Sequence, residues 1–194
     1  MNKKIKNVVV YCGASNKIDK VYKEEAEKLA IALADNNLDL VFGGGNIGLM
    51  GVISKTMKNK NRKVIGITTS HIQSSEIENP NVTKTIILNT LRERKAKMDE
   101  LADAVVALPG GFGTIDEVNE MIALKQLGEH NKPIVLYNLN GFWDNLVALY
   151  ASVIDKKFAK DEHINLFNIA NTVEEVINGI FEEQKEISTH NWRL

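Results

Sequence analysis

The sequence predicts an open, doubly wound α/β fold built on a parallel sheet. Short apolar runs alternate with longer amphipathic segments along the chain, as they do in repeated strand–helix units. The run at residues 104–108 is apolar at every position, which is typical of a central strand that helices cover on both faces. Three of the predicted strands end in glycine-containing turns. These turns should meet at one edge of the sheet, where such folds bind ligands.

Composition indicates one globular domain. The chain has 194 residues, of which 44% are apolar, and this is enough for a full core. We predict one domain over residues 1–185 and a polar tail over residues 186–194.

Charge and residue usage disfavour several classes of protein. A net charge of −1 provides no long-range field to hold nucleic acid. One cysteine and four scattered histidines give neither a disulfide framework nor metal-ligand spacing, so we expect no metal. Apolar runs are too short for a signal peptide or a membrane span, and we therefore expect a cytoplasmic protein with no membrane partner.

Four strands are predicted before the central one, at residues 5–11, 38–42, 63–67 and 84–88, and the first is rich in β-branched residues. Helices are predicted at residues 19–36, from the second glycine turn to about residue 58, and at 90–101. Residues 68–81 lack periodicity and contain Asn79-Pro80, so we expect a loop there that forms a rim or lid over a site.

The second half of the chain continues the alternation. A strand is predicted at residues 133–137, and a helix with an aromatic and aliphatic face starts at Gly141. A short apolar piece at 164–169 is a candidate last strand. Residues 173–181 have apolar positions at i, i+3, i+4, i+7 and i+8 and predict an amphipathic helix.

The turn after the central strand is the strongest candidate binding site. Gly110, Gly111 and Gly113 leave the backbone without side chains where the free N–H groups of a helix start should point outward. Such a turn suits an anion, most plausibly a phosphate. Thr114 and Glu117 also match a T-x-x-E capping box, in which both side chains only satisfy backbone donors. Spacing alone leaves these two interpretations open.

A second glycine turn follows the second strand, at residues 43–51. Its G-x-G-x-x-G pattern lacks the acid that holds a ribose in dinucleotide sites, because the next strand leads into Thr68-Thr69-Ser70-His71. It also lacks the Lys-Ser or Lys-Thr of a P-loop. We therefore expect Gly44 and Gly45 to help hold a mononucleotide or another phosphorylated small molecule. Gly48 and Gly51 more simply allow close packing of helix and sheet.

The helix at 90–101 carries basic residues interleaved with acids. Such a pattern usually forms a solvated face with i, i+4 ion pairs, so spacing alone assigns no function to Arg94.

A family resemblance adds to this interpretation. The stretch L-R-E-R-K-A-K-M followed by P-G-G-F-G-T-I-D-E resembles the "RK … PGGxGTxxE" signature of the LOG ("Lonely guy") family. These proteins are cytokinin riboside 5′-monophosphate phosphoribohydrolases, long labelled possible lysine decarboxylases. The likeness also covers Cys12-Gly-Ala-Ser15, the turn at 43–51, Glu76, and Gln126-Leu-Gly-x-x-x-Lys-Pro133.

The resemblance implies a Rossmann-like homodimer that cleaves the N-glycosidic bond of an adenosine-type 5′-monophosphate without a cofactor. It implies that Arg94 and Glu117 are catalytic and that Glu76 contacts the base or ribose. The remaining predicted substrate-binding residues lie in the turns and beside the catalytic pair: Ser15, Gly44, Gly45, Lys95, Gly110, Gly111, Gly113, Thr114 and Asp116.

The chemistry is consistent with these residue types. Cleavage of a ribosyl C–N bond passes through an oxocarbenium-like state, which a nearby carboxylate stabilises. A guanidinium can bind phosphate or ribose oxygens and restrain that carboxylate. Leu91, Thr68-Thr69 and Cys12-Gly-Ala-Ser15 depart from the usual family pattern near the base. The alternative function is a non-catalytic nucleotide-binding or carrier module, which would not need both Arg94 and Glu117.

Overall fold

The predicted parallel α/β fold is confirmed in a computed structural model, which describes residues 5–75 and 79–184. Seven parallel strands form one sheet in the order β4-β3-β2-β1-β5-β6-β7. The strands are β1 Asn7–Tyr11, β2 Asp39–Phe42, β3 Val64–Thr69, β4 Lys84–Leu88, β5 Ala104–Ala107, β6 Ile134–Tyr137 and β7 Asn168–Ala170.

Helices cover both faces of the sheet and bury two separate apolar layers. The helices are α1 Lys20–Asp35, α2 Gly48–Asn59, α3 Ser70–Ser75, α4 Leu91–Leu101, α5 Phe112–Leu127, α6 Asp144–Asp155 and α7 Val173–Phe181. One layer includes side chains of α1, α2 and α7, and the other includes side chains of α4, α5 and α6. The central strands are buried on both faces, which explains their unbroken apolar sequence.

The strand order places the glycine turns together. From β1 the chain adds β2, β3 and β4 on one side, and then returns to add β5, β6 and β7 on the other side. The sheet therefore has a topological switch point between β1 and β5. The turns that follow β1, β2 and β5 meet at the carboxyl end of the sheet, as the sequence predicted.

Two local predictions were wrong. Thr68 and Thr69 continue β3, where they pair with Ile87 and Leu88, and residues 70–75 form helix α3. The expected loop at 68–81 is therefore much shorter, because tertiary strand pairing extends β3. The last strand is also shorter than 164–169: Asp161–Leu166 is a 3₁₀ helix, and only Asn168–Ala170 joins the sheet.

The predicted tail at 186–194 lies outside the described residues. Among the helices that are described, none has both the length and the apolar content needed to cross a bilayer.

Candidate active site

A cleft of about 330 Å³ lies at the switch point. The end of β1, the second glycine turn, α3, the start of α4 and the start of α5 each supply part of its wall. We call it the switch-point cleft, and its lining residues are Val10, Tyr11, Cys12, Gly13, Ala14, Gly43, Met50, Ile72, Leu91, Arg94, Gly111, Gly113, Thr114 and Glu117. Of the predicted site residues, it brings together Arg94, Gly111, Gly113, Thr114 and Glu117.

The three glycines of the turn after β5 differ in their surroundings. A Cβ at Gly110 would collide with the side chain of Thr114, so Gly110 is needed for packing. Gly111 and Gly113 have no atom within 4 Å of an added Cβ, and neither has the positive φ that favours glycine. Packing and backbone conformation therefore do not require glycine at these two positions. A ligand that approaches the backbone closely would require it.

The first turn of α5 is arranged to accept an anion. Gly111 is the N-cap residue and no side chain caps the helix. The N–H groups at the start of a helix need partners, and together with the helix dipole they attract negative charge. Phe112, between the two open glycines, is 93% exposed and does not block the turn.

The capping-box interpretation of Thr114 and Glu117 is wrong. The helix starts earlier than that spacing requires, so Thr114 is the third residue of α5 and is buried. A capping box does occur at α4, where Thr90 and Glu93 bond each other's backbone N–H groups. Glu117 has a different partner.

Glu117 forms an ion pair with Arg94 across the cleft. Arg94 Nη1 donates to Glu117 Oε1 at 2.8 Å, and both side chains are nearly buried, at 12% and 13% exposure. Arg94 Nε donates to the carbonyl of Ile67 at the end of the sheet, at 2.9 Å. Within residues 5–75 and 79–184, Arg94 Nη2 has no hydrogen-bond partner, so this atom remains able to bind a substrate oxygen.

The electrostatics of the cleft depend on burial and on Arg94. Burial raises the pKa of Glu117 above its usual value, and the charge and hydrogen bond of Arg94 oppose that rise. Burial raises the pKa of the Cys12 thiol and of Tyr11, and in both cases the Glu117 charge adds to the effect. This shift favours the protonated form of the Cys12 thiol, which is the less reactive form. Among the described residues that line the cleft, Glu117 carries the one carboxyl group.

Among the described glycines of the second turn, Gly43 is the one that lines the cleft, and it lies against Arg94. A Cβ at Gly43 would lie 2.6 Å from Arg94 Nη2, so the guanidinium rests on this glycine. Gly44 has a φ of 84° and packs against Gly66. The carbonyl of Gly45 accepts a hydrogen bond from Asn79. Gly44 and Gly45 thus lie behind the cleft wall.

Packing accounts for the last two glycines of this turn, as predicted. Gly48 has a φ of 57°, and an added Cβ would lie 2.6 Å from main-chain atoms of Gly13 and Ala14. At Gly51, an added Cβ would lie 2.7 Å from the carbonyl oxygen of Asn46.

Several predicted site residues lie elsewhere. Lys95 contacts Asp116 and Glu120 in a neighbouring groove between α4 and α5, because one step along a helix rotates a side chain by about 100°. Ser15 is exposed, and its Oγ accepts a bond from the Lys17 N–H. Glu76 lies outside the described residues.

Sequence reasoning missed most of the apolar wall of the cleft. Val10, Tyr11 and Met50 line it but belong to a strand and a helix whose patterns only indicate burial, and Ile72 lies in the stretch at 68–81 that lacks periodicity. For Val10 and Tyr11, their position at the carboxyl end of a strand was a signal that could have identified them.

Comparisons with known proteins identify relatives of this chain. A family model described as "Possible lysine decarboxylase" matches residues 50–180. The chain is 34% identical to the probable cytokinin riboside 5′-monophosphate phosphoribohydrolase LOGL2 of Oryza sativa subsp. japonica, over 98% of this chain and 80% of the relative. It is 39% identical to the cytokinin riboside 5′-monophosphate phosphoribohydrolase LOG2 of Arabidopsis thaliana, over 80% of this chain and 73% of the relative.

Solved structures share the fold. The molybdenum cofactor carrier protein of Chlamydomonas reinhardtii superposes with a TM-score of 0.70 at 20% identity, over 91% of this chain and 96% of that protein. At this identity the similarity concerns the architecture alone. Because a fold does not by itself determine function, the function of this chain must be argued from the side chains of the cleft.

Proposed function

This chain belongs to the LOG family, and from that premise we propose that it hydrolyses the N-glycosidic bond of adenosine-type 5′-monophosphates. The products would be the free base and ribose 5-phosphate. The observation that carries the proposal is the buried Arg94–Glu117 ion pair, which lies in the same cleft as the open turn at Gly111 and Gly113.

The open turn would hold the 5′-phosphate. The N–H groups at the start of α5 would donate to phosphate oxygens, and the absence of side chains at Gly111 and Gly113 would allow contact distance. Because Glu117 lies about one helical turn further along α5, a ribose attached to that phosphate would extend toward its carboxylate.

Glu117 would then act on the sugar. An ionised carboxylate stabilises the positive charge that develops on the ribose as the C–N bond breaks, and it can orient the attacking water. Arg94 holds this carboxylate in place through Nη1 and keeps Nη2 for a phosphate or ribose oxygen. The base leaves with the electron pair of the broken C1′–N bond, water forms the new C1′–O bond, and the proton that this water loses ends on the departing base.

The alternative is a non-catalytic nucleotide-binding or carrier module. The fold of the molybdenum cofactor carrier is compatible with that function. A carrier gains nothing from a buried carboxylate that is paired but not used in binding, since burying an ion pair seldom stabilises a fold. The Arg94–Glu117 pair therefore favours hydrolysis.

Release of base from AMP and from isopentenyladenosine monophosphate, followed by chromatography, tests the proposal. We expect Glu117→Gln to reduce kcat by about a thousandfold or more, because the charge is lost while the shape is kept. Its free energy of unfolding should change by roughly 1 kcal/mol or less, since the amide oxygen can still accept from Arg94.

Glu120→Gln is the matched control, one turn further along α5 and outside the cleft. It should keep wild-type turnover. Retained activity in Glu117→Gln would refute the catalytic assignment. Tight binding of either nucleotide without any release of base from the wild type would favour the carrier.

We also infer a homodimer. The family resemblance suggests it, and exposed apolar side chains at Phe112, Leu149 and Phe158 provide surface that a second copy could cover. Light scattering at several concentrations distinguishes a dimer from a monomer.

A further inference from the structure

Asn79 is a buried polar residue that the proposed chemistry does not use directly. It is 5% exposed, and the described segment that leads into β4 begins at this residue. Its amide nitrogen donates to the carbonyl of Gly45 at 2.8 Å and to Ser54 Oγ at 3.0 Å. Its carbonyl accepts from the backbone N–H and the side chain of Asn81. Every polar atom of this side chain is therefore engaged.

These bonds fix the second glycine turn from behind. Gly45 is buried, so a carbonyl left without a donor there would be costly, and Asn79 supplies the donor. The same segment also packs on the turn through a chain of close contacts. Val82 approaches Gly66 so closely that an added Cβ would lie 2.9 Å from it, and Gly66 in turn abuts Gly44.

The front of the same turn carries the guanidinium of Arg94. Gly43 lies directly beneath Nη2, two residues before the carbonyl that Asn79 holds. A shift of the turn toward the cleft would push Arg94, and a shift away would remove its support. Because Arg94 Nη1 bonds Glu117, either shift would move the ion pair.

We propose that Asn79 is a positioning residue that holds the Gly43–Gly45 turn beneath Arg94 and so sets the geometry of the Arg94–Glu117 pair. This inference rests on the proposed hydrolytic function. Asn79 is not among the described residues that line the cleft, and it contacts the turn through Gly45.

Loss of the Asn79 hydrogen bond to Gly45 should also change the pH profile of activity. Arg94 opposes the effect of burial on Glu117, so a loosened Arg94 would let the pKa of Glu117 rise. Lys95 and Asp116 also shift the pKa of Glu117, and the Glu117 charge raises the pKa of Tyr11 and of Cys12. The hydrogen bonds of the Asn79 side chain involve none of these four groups. The acid limb of the activity profile should therefore move to higher pH.

The experiment compares kcat, KM and pH profile for wild type, Asn79→Ala and Ser54→Ala, at a temperature where circular dichroism shows each to be folded. Ser54→Ala is the matched control, because it removes one buried partner of Asn79 and leaves the bond to Gly45. We expect Asn79→Ala to lower kcat by about tenfold to a hundredfold with a much smaller change in KM, and to raise the acid limb. Ser54→Ala should lose stability without either change.

The inference is overturned if Asn79→Ala has the wild-type kcat and acid limb, or if Ser54→Ala reproduces both changes. If Asn79→Ala does not fold, Asn79→Asp keeps the size and replaces the donor with an acceptor, and the same two readouts apply. A wild-type protein that cleaves neither nucleotide would instead refute the proposed function, and the inference with it.

Discussion

The two glycine turns look alike in the sequence, yet they have opposite physical reasons for being glycine. In the turn at residues 43–51, a Cβ added at Gly43, Gly48 or Gly51 would strike Arg94 or backbone, and Gly44 and Gly48 have positive φ. In the turn after β5, Gly111 and Gly113 have free space around them and ordinary backbone angles. The first turn uses glycine to build the fold. The second leaves room for something that the chain itself does not supply, which supports a ligand site there.

Among the substitutions that test this difference between the turns, we expect Gly48→Ala to have the largest effect, which is on stability. The new Cβ would meet the main chain of Gly13 and Ala14 at 2.6 Å, in a backbone conformation with positive φ. We expect the free energy of unfolding to fall by about 3 kcal/mol or more, or folding to fail. Urea denaturation measures this. A variant as stable as the wild type would show that the packing of this turn has been misinterpreted.

Gly113→Ala should act in the opposite direction on stability. Alanine is a better helix residue than glycine and meets no atom here, so the free energy of unfolding should rise by roughly 0.5 kcal/mol. The same methyl group would occupy space that we assign to the phosphate. KM for AMP should therefore increase by about tenfold or more, a cost of roughly 1.4 kcal/mol in binding.

An unchanged KM in Gly113→Ala would contradict the assignment of the phosphate site to this turn. The turn as a whole would then lose its proposed role, because Gly113 is one of its two open positions. Loss of both stability and affinity would instead mean that the glycine is needed for packing, as in the first turn.

The sequence predicted that the glycine turns meet at one edge of the sheet. It did not predict which residues of those turns and helices line the cleft. Periodicity could not show that Thr68 and Thr69 extend β3, because their pairing with Ile87 and Leu88 is a long-range contact. Lys95 was misplaced for a different reason. It is adjacent to Arg94 in sequence, but helix geometry directs its side chain to the neighbouring groove between α4 and α5.

The role of Glu117 shows why spacing alone was insufficient. Thr114-x-x-Glu117 and Thr90-x-x-Glu93 have the same pattern, and only the second is a capping box. The difference arises where each helix begins. Gly110 packs against Thr114 and the chain turns into α5 at Gly111, so Thr114 enters the helix and Glu117 is free to meet Arg94.

The two ends of α5 extend the comparison between open and filled positions. At its start, backbone donors are available to a ligand. Beyond its other end, His130 is fully engaged: its Nδ1 accepts from the Lys132 N–H, so its Nε2 must carry the proton and donate to the carbonyl of Met121. Burial lowers the pKa of His130 to about 4, with Lys132 and Lys125 acting in the same direction and Asp99 opposing them.

The smallest predicted effect therefore concerns acid stability. The unfolded chain binds a proton at His130 near pH 6.5 and the folded chain only near pH 4, so this contribution is complete above pH 6.5 and is lost as the pH falls toward 4. Between pH 7 and 5 the full shift would correspond to about 2 kcal/mol, and solvent screening at the half-buried His130 reduces it. We therefore expect the free energy of unfolding to fall by about 1 kcal/mol more in the wild type than in His130→Gln, which can still donate to Met121. Urea midpoints at several pH values measure this. If the urea midpoints of the two proteins change with pH in parallel, the prediction is contradicted. If the midpoints converge at low pH, the loss of stability on acidification is assigned to His130. A loss of activity at low pH can then be divided between unfolding and the titration of Glu117.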